Sequence, residues 1–252
     1  MEEQQKPQPV VISIFKAHAE RIGWWRAALG GGLMYTTIPL FMFLHVTVTL
    51  VLYKILLRPL LGLGHISAKD YIILDRYSLQ GLNWFDRFNC LFCEYANGVT
   101  TLMNAEIDQA AHSKKERCII KKLIIGLYLI PQTLLTVIIM LIATIPTNIL
   151  MKTLGLHRAS HKRILKRLRE EDYAGHHGRV SRAILRTYKL SADIIAYNLE
   201  QIESSWCPIK HLEKEGYVFP AHHNNFCGRD ELGEIEQTLR TKGTVSSNLP
   251  KF

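Results

Sequence analysis

Residues 27–53 read AALGGGLMYTTIPLFMFLHVTVTLVLY, a run without one charged side chain. A helix needs about 20 apolar residues to cross a hydrocarbon core, so this stretch is long enough for a bilayer. Gly30, Gly31 and Gly32 form a flexible entry, Pro39 falls near the middle, and His45 lies inside the run. A mid-helix proline removes a backbone donor and kinks or breaks the helix. A second uncharged run, Leu123 to Met151, contains Pro131 and Pro146. The expected fold is mainly α: a membrane-embedded helical protein with two apolar proline-broken segments (re-entrant, monotopic or hairpin) and one polar helical lobe.

The flanks fit that division. Residues 1–29 are expected to form an interfacial amphipathic helix, with Val10, Ile14, Phe15, Ile22 and Trp25 near one face. Trp24 and Trp25 beside Arg26 suit a membrane interface, because indole is an apolar ring with one polar edge. The first membrane segment then covers 30–64, a polar region 65–121, and the second membrane segment 122–156. A basic helix and C-terminal polar region, 157–252, complete the lobe. Within 65–121, Tyr71 to Leu74 reads as a short strand or an anchored loop. Leu79 to Phe92 has an interfacial composition, and Glu94 to His112 has a helical pattern. Paired carboxylates such as Glu106 with Asp108, or Glu170 with Glu171, read as solvated helix faces.

The 252 residues carry a net charge of +9 with 48% hydrophobic residues, an ordinary fraction unevenly spread. Such a charge suits nucleic acid or anionic lipid. The apolar runs decide for lipid, since no aromatic-interleaved basic groove or nucleic-acid module occurs. Arg158, Lys162, Arg163, Lys166 and Arg167 surround Ile164, Leu165 and Leu168, as in a helix lying on anionic headgroups. The acidic start, Met1-Glu2-Glu3, and the lack of an early apolar stretch argue against a secretory signal. Five cysteines, an odd number, do not resemble a disulfide framework and fit a reducing, cytosol-like side.

Two cysteine fragments carry the candidate chemistry. Cys90-x2-Cys93 has the spacing at which a curled backbone turns two sulfurs toward one tetrahedral zinc or iron. Far along the chain, Cys207-Pro208-Ile209-Lys210-His211 supplies a thiolate and, four residues later, an imidazole. Cys90, Cys93, Cys207 and His211 are the expected Cys3His ligands, with the metal, zinc or iron, undecided. His222, His223 and Cys227 are alternative ligands or supporting residues, and Glu94, Tyr95, Asn97 and Trp206 form the expected surround. Cys118 abuts the second apolar run and reads as a packed or lipid-facing thiol. Two buried thiols packing as small apolar groups are the plain alternative for Cys90 and Cys93. A redox dithiol is another.

The segment from Cys90 to Gly98, Cys-x2-Cys-x-Tyr-Ala-Asn-Gly, and the later Trp206-Cys-Pro-Ile-Lys-His211 resemble those of a group of short bacterial proteins. His222 and His223 match as well. The likeness covers mainly the two polar regions and brings no activity with it; it implies the grouping of these residues and nothing about a reaction. Cys93-Glu94 and Cys207-Pro208 also loosely resemble rubredoxin knuckles, although His211 stands where a fourth cysteine belongs.

The shared site demands that 65–121 and the C-terminal region lie on one side of the lipid. Two single crossings would separate them, so the runs are expected to return, to lie along one leaflet, or to cross as a pair. Three functional readings follow. The first is a membrane-bound metalloprotein whose Cys3His centre is structural or passes electrons in a redox or lipid-associated process. The second is a histidine-rich di-iron membrane oxidase or hydroxylase acting on lipids. It uses His157, His161, His176 and His177, at spacings unlike the usual boxes of such enzymes. The third is a structural subunit bound to protein partners in a membrane complex. Whether the chain is an enzyme stays open, and no catalytic residue is assigned.

Overall fold

The computed structural model describes residues 23–74, 76–78, 82–113, 126–128, 130–138 and 161–204, with isolated positions at 15–16, 19–20, 141 and 149. These residues are mainly helical, with no strand among them. Cys118, Arg158, His157, Trp206, Cys207, His211, His222, His223, Cys227 and Pro146 lie outside the described residues. So do the side chains of His161, Lys162 and Arg163.

The expected N-terminal helix is interrupted at Gly23. Its N–H closes on Ala19 O at 2.9 Å, and its φ of 98° then turns the chain, a conformation that glycine adopts without a Cβ clash. Helix α1 (Trp24–Thr36) follows, then α2 (Ile38–Leu44), a π-helical segment (His45–Leu57) and α3 (Arg58–Leu61). Together they form one helical rod, Trp24–Leu61, of 38 residues, long and apolar enough to cross a membrane. Pro39 sits in the first turn of α2, where its missing N–H is least costly, and the rod runs on past it. The Thr47 and Thr49 hydroxyls donate to the carbonyls of Phe43 and His45 four residues back, a side-chain competition that disturbs the regular ladder where the π geometry sets in. Gly62, left-handed at φ 60°, ends the rod, and Leu63 N–H reaches Arg58 O at 2.9 Å.

From there a loop carries the chain back, Ile72 beside Gly98 and Arg76 beside Glu94, to the start of helix α4 (Trp84–Ala111). Tyr71 to Leu74 is an anchored loop rather than a strand. Helix α4 begins ten residues before the expected Glu94, because Asn83 caps it: its side-chain oxygen accepts from Asp86 N–H at 2.8 Å. The helix therefore takes in the aromatic stretch that reads as interfacial, with Trp84, Phe88 and Leu91 exposed. Helix α4 runs parallel to the rod, with Tyr35 bonded to Asn89, His45 to Tyr95 and Tyr53 to Gln109. The first apolar segment and α4, the helix of the 65–121 region, are thus packed side by side.

Helix α5 (His161–Glu170) and helix α6 (Arg179–Ser204) complete the bundle, α6 within one residue of its expected start. Helix α6 lies antiparallel to α4: His177 meets Ala111 O at 3.0 Å, and Lys189 donates to Asn104 and Asp108, each at 3.1 Å. Arg167 of α5 pairs with Asp193 of α6 at 3.1 Å. Part of the second apolar run, Gly126–Ile138, docks on the first: Gln132 donates to Thr47 Oγ1 at 3.1 Å and Tyr128 to Thr47 O at 3.3 Å. The two apolar runs therefore meet. The core joins Met34, Phe41, Leu44, Val48 and Leu52 of the rod to Phe92, Cys93, Ala96, Val99 and Met103 of α4 and to Tyr188, Ala192, Ile195 and Leu199 of α6.

Candidate metal centre

Cys90 and Cys93 stand one turn apart on α4, both buried, with Cys93 in the central core. The backbone through them is continuous helix, not the curled knuckle that Cys-x2-Cys suggests in isolation. Residues three apart on a helix still share a face, so both sulfurs leave α4 on neighbouring paths. Three of the expected surrounding residues are on the same helix. Asn97 donates to Cys93 O at 3.0 Å. The Tyr95 hydroxyl meets His45 Nδ1 at 2.9 Å, and burial raises its phenol above the ordinary value.

Glu94 reaches another partner. Its carboxylate faces the Arg76 guanidinium, Nε to Oε1 3.6 Å, and also accepts the Arg76 backbone N–H. The side chains are 3% and 0% exposed, so this is an ion pair taken almost wholly out of water. Four residues along, Gly98 allows the loop to touch the helix. A Cβ there would stand 2.6 Å from Ile72 Cα and 2.9 Å from Tyr71 O, both backbone atoms. Gly98 and Glu94 together bind the returning loop to the helix that carries the cysteines.

The same end of the bundle carries an aromatic collar. Phe15 packs edge-on against Trp24 and Phe85, with ring centroids 6.0 and 5.3 Å apart, and its N–H donates to the buried Asp86 at 3.1 Å. Trp24, Trp25 and Trp84 are exposed, and the Arg26 guanidinium lies 5.5 Å from the Trp25 ring centre. Exposed Met42, Val46 and Ile55 on the rod, with Leu127, Ile130, Leu134 and Ile138 on the docked helix, extend an apolar outer face. Lys166 and Arg167 are exposed on α5 and tied to Glu170 and Glu171 one turn on.

Helix register gives the position of the end of α6. Lys189 sits opposite the Asn104–Asp108 turn, and α6 continues to Ser204, about 22 Å further at 1.5 Å per residue. The same number of residues counted back along α4 from Glu106 reaches about Leu91. Ser204 therefore ends α6 level with the Cys90–Cys93 turn, and α6 also packs on α1 at that end.

At the opposite end, His112, His176 and His177 have adjacent rings, with centroids 6.4 and 6.0 Å apart along the series. His112 Nδ1 meets Asp108 O at 2.7 Å and His177 Nε2 meets Ala111 O at 3.0 Å. Among the described residues no group of three or more His, Cys, Asp or Glu is arranged to hold a metal ion. The remaining proposed ligands, Cys207 and His211, are outside those residues.

Contrary to the expectation of a solvated face, Glu106 is 1% exposed. Its position four residues before Ala110, three after Met103 and seven after Val99 puts it in the buried stripe of α4, a periodicity visible in the sequence. Glu170 and Glu171 are exposed, as expected. The Arg76 partner of Glu94 has no such signal, because its pairing is set by a loop. The chain matches no protein-family model, no curated protein and no solved structure.

Proposed function

We propose that this is a membrane-associated metalloprotein in which Cys90 and Cys93 join Cys207 and His211 around one ion, zinc as a structural clamp or iron as an electron-transfer centre. The observation that carries the reading is the helix register: α6 ends at Ser204, level with the cysteine turn of α4, three residues before Cys207. Cys90 and Cys93 are both buried one turn apart on α4, and thiolate with imidazole suits a soft or borderline metal. The packing of the rod against α4, rather than across a leaflet from it, supports a one-sided site.

Membrane association is supported by the 38-residue apolar rod, its docked apolar neighbour and the exposed tryptophans at the cysteine end. Indole rings at one level of a bundle are what a lipid headgroup boundary favours. The basic face of α5 would meet anionic headgroups, with Lys166, Arg167 and Arg169 as its described cations. The metal site then faces the reducing side, where thiols stay available as ligands.

The test is elemental analysis and absorption spectroscopy of the full chain purified from membranes without added metal. The expected result is about one zinc or iron per chain, colourless for zinc and coloured for oxidised iron. Cys90→Ser, Cys93→Ser, Cys207→Ser and His211→Ala should each release it while retaining the far-ultraviolet helical signal. A folded wild-type protein without stoichiometric metal, or a Cys207→Ser variant that keeps all of it, would overturn the proposal.

A further inference from the structure

We propose that Glu106 is a reversible proton-binding site in the seam between α4 and the π-helical segment, reached from the groove beside Gly64 and His112 through Tyr53 and Gln109. A carboxylate deep in a protein needs donors or a counter-charge to offset its lost hydration. Glu106 is 1% exposed, and neither carboxyl oxygen has a hydrogen-bond partner among the described residues. A buried polar group left in that state asks for an explanation, and a proton on the carboxyl removes the charge that makes the burial costly.

The neighbours fit a proton exchanged with solvent. From the π-helical segment, Lys54 and Tyr53 lie within electrostatic range of Glu106. Lys54 is half-buried and is the one opposing charge facing it among the groups described. Arg58 of α3 and Tyr71 of the returning loop face Tyr53 in turn. From α6, Lys189 is committed to Asn104, Asp108 and Asp193. On α4 itself, Gln109 stands one turn beyond Glu106 and accepts the Tyr53 hydroxyl, which also lies 3.3 Å from Gly64 O. Gln109 and Gly64 line an open groove with Leu61, Gly62, Asp108 and His112. The bonded Tyr53 hydroxyl and Gln109 amide thus join the surroundings of the buried acid to that groove. Burial pushes the carboxyl up to about 9, with Lys54 pulling the other way.

The linkage has a definite sign. An acid whose folded-state affinity for protons exceeds that of the unfolded chain makes the fold less stable as pH rises from the ordinary carboxyl range to about 9. Glu106→Gln, which keeps the shape of the neutral acid, should remove that slope.

The experiment treats the full chain in lipid nanodiscs with dicyclohexylcarbodiimide, which adds to protonated carboxyls in apolar surroundings, and maps the adduct by peptide mass. The expected result is modification of Glu106 at pH 7, falling about tenfold by pH 10 given a midpoint of about 9. In parallel, hydrogen–deuterium exchange of the carboxyl infrared band should be slowed at least tenfold by Tyr53→Phe. Glu106→Gln should lack both the adduct and the band while keeping its helical signal. The proposal is overturned by a folded wild type in which Glu106 is unmodified at pH 7, or by modification indifferent to pH. It is equally overturned by modification suppressed by sodium at constant pH, which would make the site one for a metal cation. Exchange unchanged by Tyr53→Phe would overturn the route.

Discussion

Replacing Glu94 by glutamine is expected to destabilise the protein more than any other conservative change on α4. The amide preserves the shape and can still accept the Arg76 backbone N–H, so the loss is mainly that of charge. At the Nε to Oε1 separation of 3.6 Å, Coulomb's law with an effective dielectric of about 20 gives an attraction of roughly 5 kcal/mol. Because the side chains are 3% and 0% exposed, water cannot take over the guanidinium once the carboxylate is gone. Breaking a buried pair from one side typically costs about 3–5 kcal/mol, and that range is expected here. Arg76→Met should cost a similar amount. The double variant removes both charges, so it should be more stable than the sum of the single losses implies, with a coupling of at least about 2 kcal/mol. Equilibrium unfolding in mixed micelles, followed by far-ultraviolet circular dichroism, measures all four corners of the cycle. Single losses below about 1 kcal/mol, or strict additivity, would refute the claim that this pair fastens the loop to the cysteine helix.

Gly98→Ala should destabilise by about 1–3 kcal/mol despite alanine's better helix propensity, because the new Cβ would sit 2.6 Å from the Ile72 backbone. Gly32→Ala, on the exposed side of α1 with nothing within 4 Å, should instead stabilise by up to about 1 kcal/mol, and thermal melting compares the two. Asn83→Ala removes the cap of α4 and should cost about 1 kcal/mol in the same assay; Asn83→Asp should not recover it, because the amide that donates to Asp86 at 2.7 Å would become a second carboxylate.

The parts of the fold that rest on periodicity are legible in the amino-acid sequence. Helix α6 follows from Leu185, Tyr188, Ile195 and Leu199 at helical spacing, and most of the rod from the uncharged run 27–53. What is not legible comes from contacts between distant segments and from local caps. Exposed Trp84, Phe88 and Leu91 look like an interfacial loop unless Asn83 is recognised as a cap, so periodicity alone starts α4 too late. Pro39 suggests a break, yet it falls in the first turn of α2, where a proline fits. The π geometry of His45–Leu57 leaves no composition signature beyond its β-branched residues. For the candidate site, Cys90 and Cys93 stand out by spacing alone, and the structure adds their burial and their level relative to Ser204. The Glu94 pairing depends on the loop, whereas the burial of Glu106 is implied by its phase with Val99, Met103 and Ala110.

X-ray absorption at the metal edge of the purified wild-type protein tests the central claim most directly. A zinc site with three sulfurs at about 2.3 Å and one nitrogen at about 2.0–2.1 Å is the expected shell, and the edge signal should be lost in Cys90→Ser. A shell of oxygen and nitrogen alone, or one unchanged by Cys90→Ser, would show that the helix cysteines hold no ion.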